Sequence, residues 1–194
     1  MKKQILILSM LILALVFTAC SDDDPVEVND LEVITTVEVT LTNGTDSYVL
    51  SWEDLDGVGP NEAIVNGETI PAGVYDGSIQ LFNKTVEEFN EDGTENEEYY
   101  VTLEILEEEL DHQFFFNPTD NLLVVSDYTD MDAEGKPIGQ QFGLVADVSS
   151  GNLNIILLHK PDKYGDDVAN GVITNAFGNE TDIDLNISIP ITVE

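Results

Sequence analysis

The chain has 194 residues, with 39 acidic residues against six lysines and arginines, for a formal charge of −33. Nucleic acid is excluded as a partner and phosphorylated or heparin-like ligands are disfavoured, because binding them rests on Lys and Arg neutralising anionic groups. Cations are the natural counter-species, with simple solubility at a crowded surface as the plainer reading of the same charge. A single Cys leaves the fold to stand on its apolar core, for which length and aliphatic content suffice.

Lys2 and Lys3 precede an apolar run, Ile5 to Phe17, broken only by Ser9. The run falls short of the roughly 20 apolar residues that a spanning helix needs. Charge, apolar stretch and small residues come in signal-peptide order. Phe17-Thr18-Ala19-Cys20 resembles a bacterial lipobox, with Phe17 where Leu is usual. The resemblance implies cleavage before Cys20 and lipidation of its sulfur and new amino group. Each buried methylene contributes ~0.8 kcal/mol, so three acyl chains hold a protein almost permanently. An ordinary secretory signal with a chance cysteine is the alternative. Ser21-Asp22-Asp23-Asp24 resembles the surface-export signal of Bacteroidetes lipoproteins. That implies a lipid anchor in the outer membrane and a domain on the cell surface. A solvated tether facing the periplasm is the other reading. Residues 1–19 are thus read as a leader, 20–30 as lipidated Cys20 and an acidic tether, and 31–194 as one domain. After cleavage, four lysines and no arginine face all 39 acids.

Period-two alternation, the mark of half-buried strands, dominates the rest. Val37, Val39 and Leu41 share one face, and Asn43-Gly44 suits a turn. Tyr48, Leu50 and Trp52 alternate next. Ser78 to Asn83 follows a Pro71-Ala72-Gly73 turn. Tyr99, Val101, Leu103 and Ile105 predict another strand, onto which the loop holding Asp92-Gly93 can close a hairpin. A helical turn over Glu104 to Asp111 is the alternative there. His112 to Phe116 and Leu122 to Tyr128 flank an Asn117–Asn121 turn, and Gln141 to Val148 and Asn152 to His159 flank Ser149-Ser150-Gly151. Ile155 to Leu158 is apolar on both faces, which places it mid-sheet. In the last strand, Ile183, Leu185, Ile187, Ile189, Ile191 and Val193 face one way and Asp182, Asp184, Asn186 and Ser188 the other. Pro190 removes a donor and predicts an edge or bulge.

Eight to ten such strands predict an all-β antiparallel sandwich, with two stacked smaller sandwiches split near Asn117 as the alternative. Ile70-Pro71-Ala72-Gly73-Val74-Tyr75 resembles the turn-then-Tyr stretch of immunoglobulin and fibronectin type III sandwiches, which implies a fold of that kind.

Four sets of residues can carry chemistry. Asp54, Asp56 and Asn61 in a Gly-rich loop resemble a fragment of Asp-x-Asp-Gly calcium loops; a plain β-turn is the competing reading. Asp130, Asp132 and Glu134 match the opening spacing of an EF-hand loop, but Pro137 and Gln141 break the pattern and point to a hairpin. His112 and His159 end predicted strands beside Asp111 and Asp162. If those strands are neighbours, the imidazoles and a carboxylate can meet around zinc, copper or iron. Tyr100 and Phe115 fall off their strands' apolar phase and are candidates for a sugar-stacking patch.

No Gly-x-Ser-x-Gly elbow, phosphate-cradling Gly loop or His-Glu-x-x-His helix is present. The expectation is a non-enzymatic envelope lipoprotein with a ligand- or partner-binding sandwich. A metal cation passed to an outer-membrane transporter is the first ligand to test. A structural or adhesive surface protein and a carbohydrate-binding module are the alternatives.

Overall fold

The alternating segments become ten strands in two sheets in the computed structural model, which describes residues 32–57 and 59–194. The leader, Cys20 and the acidic tether lie outside the described residues.

β1 (Thr36–Asn43) and β2 (Asp46–Glu53) form a hairpin. Gly44, at φ +62°, supplies the backbone conformation that its two-residue turn needs. β3 (Ile64–Asn66), β4 (Glu68–Ile70) and β5 (Gly73–Phe82) follow, then α1 (Val101–Glu107). The remaining strands are β6 (His112–Thr119), β7 (Val124–Tyr128), β8 (Gln141–Ala146), β9 (Ser149–His159) and β10 (Asp182–Val193).

One sheet has the order β3-β2-β1-β5-β8-β7 and the other β4-β10-β9-β6. All pairings are antiparallel except β4 with β10. Val37, Val39, Leu41, Ile79 and Leu81 of the first sheet share one buried cluster with Phe114, Ile155, Leu157, Ile187 and Ile189 of the second. The protein is therefore an all-β sandwich. Pro190 sits just before Ile191, where β4 begins to pair, so its missing donor breaks no bond to that strand. The Tyr75 hydroxyl donates to the Pro71 carbonyl. A buried tyrosine tied back a few residues upstream is also the corner device of immunoglobulin sandwiches.

β9 is central in its sheet, as its two-faced apolarity predicts. Ile155 and Leu157 enter the main core. Leu158 enters a second cluster with Phe115, Val168 and Ala176 on the sheet's other face. Short 3-10 turns at Val168–Asn170 and Ile173–Asn175 cover that face.

Several local expectations are overturned: Asn117 to Thr119 and Ser149 to Gly151, read as turns, belong to β6 and β9. The segment read as a strand from Tyr99 to Ile105 is helical from Val101 onward, where α1 begins, with Tyr99 in the preceding turn. Val101 and Ile105 are buried one helical turn apart, while Leu103 between them is 46 % exposed. Val101 and Ile105 fit both periods, and only the outward Leu103 separates helix from strand. The Asp92-Gly93 loop closes on itself, with Asn90 N–H donating to Thr94 O at 2.8 Å and a bridge from Phe89 to Glu95.

A further correction is to the last strand. Its ladder pairs Ile183 with Leu158 and then Leu185 with Leu157, so Asp184 is the extra residue of a β-bulge. Ile183 is 48 % exposed, while the Asp184 side chain is fully buried. Bulges re-aim side chains, and this one turns an aspartate inward.

Candidate metal centre

β6 begins at His112 and β9 ends at His159, and the two residues are direct partners in the ladder. Their alternation continues that of Phe114 and Leu157, so both imidazoles face the interior of the sandwich. Both residues are buried, and their rings stack with centroids 4.8 Å apart and planes 20° apart. On the far side of β9 the bulge delivers Asp184. Glu32, in the segment leading into β1, reaches the same point with a side chain only 4 % exposed.

Four potential ligand atoms, one each from Glu32, His112, His159 and Asp184, lie within 4.8 Å of one another. His112 Nε2 is 3.0 Å from Glu32 Oε1 and 3.6 Å from Asp184 Oδ2. A first-row ion bound at ~2.0–2.2 Å by nitrogen and oxygen sets neighbouring ligands roughly 3–3.5 Å apart, which those two distances match closely. Among the described residues this is the one place where three or more His, Cys, Asp or Glu ligands converge.

Hydrogen bonding fixes how the site is presented. His112 Nδ1 lies 3.1 Å from the Glu108 carbonyl at the end of α1. A carbonyl only accepts, so Nδ1 carries the proton and Nε2 faces the carboxylates. Metal-bound histidines are commonly oriented by such a bond. Glu32 Oε2 and both Asp184 oxygens are buried without a hydrogen-bond partner. Buried carboxylate oxygens left this way are costly, and they are the acceptors a cation would satisfy.

The electrostatics record the same crowding. Burial and the neighbouring Glu32 charge push Asp184 up to about 7, against a smaller opposing effect of His112. Burial works against an ionised Glu32, but the His112 hydrogen bond and the histidine charges outweigh it, so its carboxyl sits below the ordinary value. Burial disfavours charge on His112 too, yet the Glu32 hydrogen bond and charge hold it above its usual value. His159 is lowered by burial and by the charge of His112.

The structure brings the two predicted histidines together but not their predicted acidic partners. Asp111 lies in the turn between α1 and β6, its N–H donating to the Glu108 carbonyl at 2.9 Å; it is exposed, and its carbonyl accepts from Lys160 N–H at 2.6 Å. Asp162 is exposed, and its carboxylate accepts from Tyr164 N–H at 3.1 Å. Glu32 and Asp184 take their places. Neither carries a sequence signal, since Glu32 lies outside any periodic run and Asp184 turns inward only through the bulge.

The other candidate residues have local roles. Asp54 Oδ1 accepts from Gly57 N–H at 2.9 Å, and Asp56 Oδ2 from the Asn61 side chain at 2.6 Å, which is turn geometry. Asp132 and Gly135 bound a tight turn, with a bridge between Met131 and Pro137, as the hairpin reading expects. Asp130 accepts from the N–H groups of Gly139 and Gln141 at 2.7 and 2.8 Å. Asp132 is bound to Lys163, and Glu134 accepts from the Tyr164 hydroxyl. Tyr100 packs edge-on against Tyr99 and Phe82, and its hydroxyl donates to Glu88 at 2.7 Å. Phe115 is fully buried in the second cluster, so it cannot stack on a sugar. Its off-phase position reflects a strand covered on both faces.

Compared with protein-family models, curated proteins and solved structures, the chain matches none. It is an all-β sandwich with a closed group of two histidines and two carboxylates at one end of the four-stranded sheet.

Proposed function

We propose that this protein is a non-enzymatic, lipid-anchored envelope protein whose sandwich binds one divalent transition-metal ion through Glu32, His112, His159 and Asp184. The observation that carries the metal reading is the convergence of four ligand atoms with three buried carboxylate oxygens that have no hydrogen-bond partner. Two imidazoles with two carboxylates suit zinc or iron(II). Calcium takes six to eight oxygens, and copper(I) prefers sulfur. The envelope address rests on Lys2 to Asp24, with Cys20 as the lipid site.

Calorimetric titration of the full chain in detergent with zinc, iron(II), copper(II) and calcium tests the reading. The expected result is one equivalent of zinc or iron(II), no calcium, and loss of binding when His112 and His159 are both replaced by Ala. If no metal gives heat or shifts the melting temperature, the centre is a proton-sharing cluster and the reading fails.

A further inference from the structure

We propose that the ion at this centre is a resident clasp of the fold, not a cargo that exchanges with solvent. The inference rests on the metal-site reading above and names what the ion does there.

Closure is the first argument. The side chains of His112 and Asp184 are fully buried, that of Glu32 is 4 % exposed and His159 is 2 % exposed. Four protein ligands in a closed shell are the mark of structural sites, whereas catalytic ones keep a position for water or substrate. A cargo site needs a path by which an acceptor can attack the ion before it leaves. Here every ligand would have to be uncovered first.

The origin of the ligands is the second. His112, His159 and Asp184 belong to three adjacent strands of the four-stranded sheet. Glu32 belongs to the segment that enters β1 of the other sheet. From Thr35 onward that segment is tied by backbone bonds, with Thr35 N–H donating to Phe82 O at 3.0 Å. An ion shared by all four residues therefore joins the two sheets where the chain enters the sandwich. Most of the domain's sequence lies between Glu32 and Asp184, so the cross-link closes a long loop. Binding energy at a site built from distant segments becomes folding energy.

Need is the third. The chain has one Cys and so no internal disulfide, and its formal charge of −33 makes the compact state self-repelling. A divalent cation placed between two buried carboxylates relieves repulsion between them. The Glu108 carbonyl already holds the His112 ring in its ligating orientation.

The test loads the full chain, in detergent, with zinc. Binding is read first, as a rise in melting temperature. At a thousandfold excess over Kd the rise should be about 8–16 °C for a chain of this size. No rise overturns the metal-site reading and the clasp with it. Release is read second, by mixing the loaded protein with increasing concentrations of a chromophoric chelator. A clasp gives a release rate that is independent of chelator concentration and rises with urea, because the sheet end must open first. A rise in melting temperature together with release proportional to chelator overturns the clasp alone. Glu32→Gln is the third arm. It should weaken binding, make release chelator-dependent and speed hydrogen exchange at the Ile34 amide, whose N–H donates to Glu32 O. Unchanged release and exchange in that variant would remove Glu32, and with it the link between the sheets.

Discussion

The Asp184 carboxylate reaches 3.6 Å from His112 Nε2 although the two residues sit on strands separated by β9. It does so because Asp184 has no partner in the β9–β10 ladder. Deleting Ile183 should therefore restore a regular ladder and turn the aspartate to the outer face. Ile183 is half exposed, so its loss should cost little packing. The expected outcome is a folded protein with zinc affinity reduced at least 100-fold, comparable to or beyond the loss of a metal's outer-shell partner. Calorimetry with a parallel circular-dichroism melt measures both. Retained affinity would show that the bulge is not what aims Asp184.

That dependence on one extra residue explains what the sequence could and could not disclose. The histidines were legible as candidates because each stands at the end of an apolar strand; that those strands are neighbours, with the two residues opposite one another, came from the packed sheet. β1, β9 and β10 were legible too, since burial on one face or both writes itself into composition. Asp184 was not, because a bulge inverts the phase that strand periodicity assigns, without any residue type that announces it. Glu32 was hidden among acids in a chain that has them everywhere. A contact between residues so distant in sequence is a property of the packed sandwich.

α1 supplies a sharper case, in which one residue separates two periodicities. As a strand, Leu103 would point inward with Val101 and Ile105; as a helix, it points out. Leu103→Lys is expected to change stability by no more than about 0.5 kcal/mol, the usual range for surface positions. Ile105→Ala, at a fully buried site, should cost about 2–5 kcal/mol. Urea unfolding of both variants reads the contrast, and equal large losses would restore the strand.

Phe115 and Tyr100 separate a packing role from a binding one. Phe115→Ala empties the second cluster under the 3-10 turns and should cost about 3–5 kcal/mol. Tyr100→Phe removes one exposed hydrogen bond to Glu88 and should cost less than about 1 kcal/mol. A glycan array probed with the unaltered chain should show no sugar that depends on Phe115. Loss of glycan binding in a Phe115 variant that keeps its full stability would reverse this assignment.

Lys163 and Asp132 form the buried ion pair that fastens the loop after β9. Lys163 Nζ lies 2.8 Å from Asp132 Oδ2 and 2.6 Å from the Glu109 carbonyl. Asp132 Oδ1 also accepts from Glu134 and Lys136 N–H at 2.9 and 2.8 Å. Burial favours the protonated acid, but Lys163 and the backbone donors outweigh it and hold Asp132 below the ordinary carboxylate value. The unfolded chain then takes up the proton more readily than the folded one. The stabilisation is fully present above the ordinary value of 3.8 and is lost as pH falls through the lower folded value. Lys163→Met strands the buried carboxylate and should cost about 3–5 kcal/mol at neutral pH. As the medium is acidified below pH 3.8, the gap between variant and unaltered chain should close, because a protonated Asp132 has no ion pair to lose. Urea midpoints across that range test the sign, and a gap that widens on acidification would contradict it.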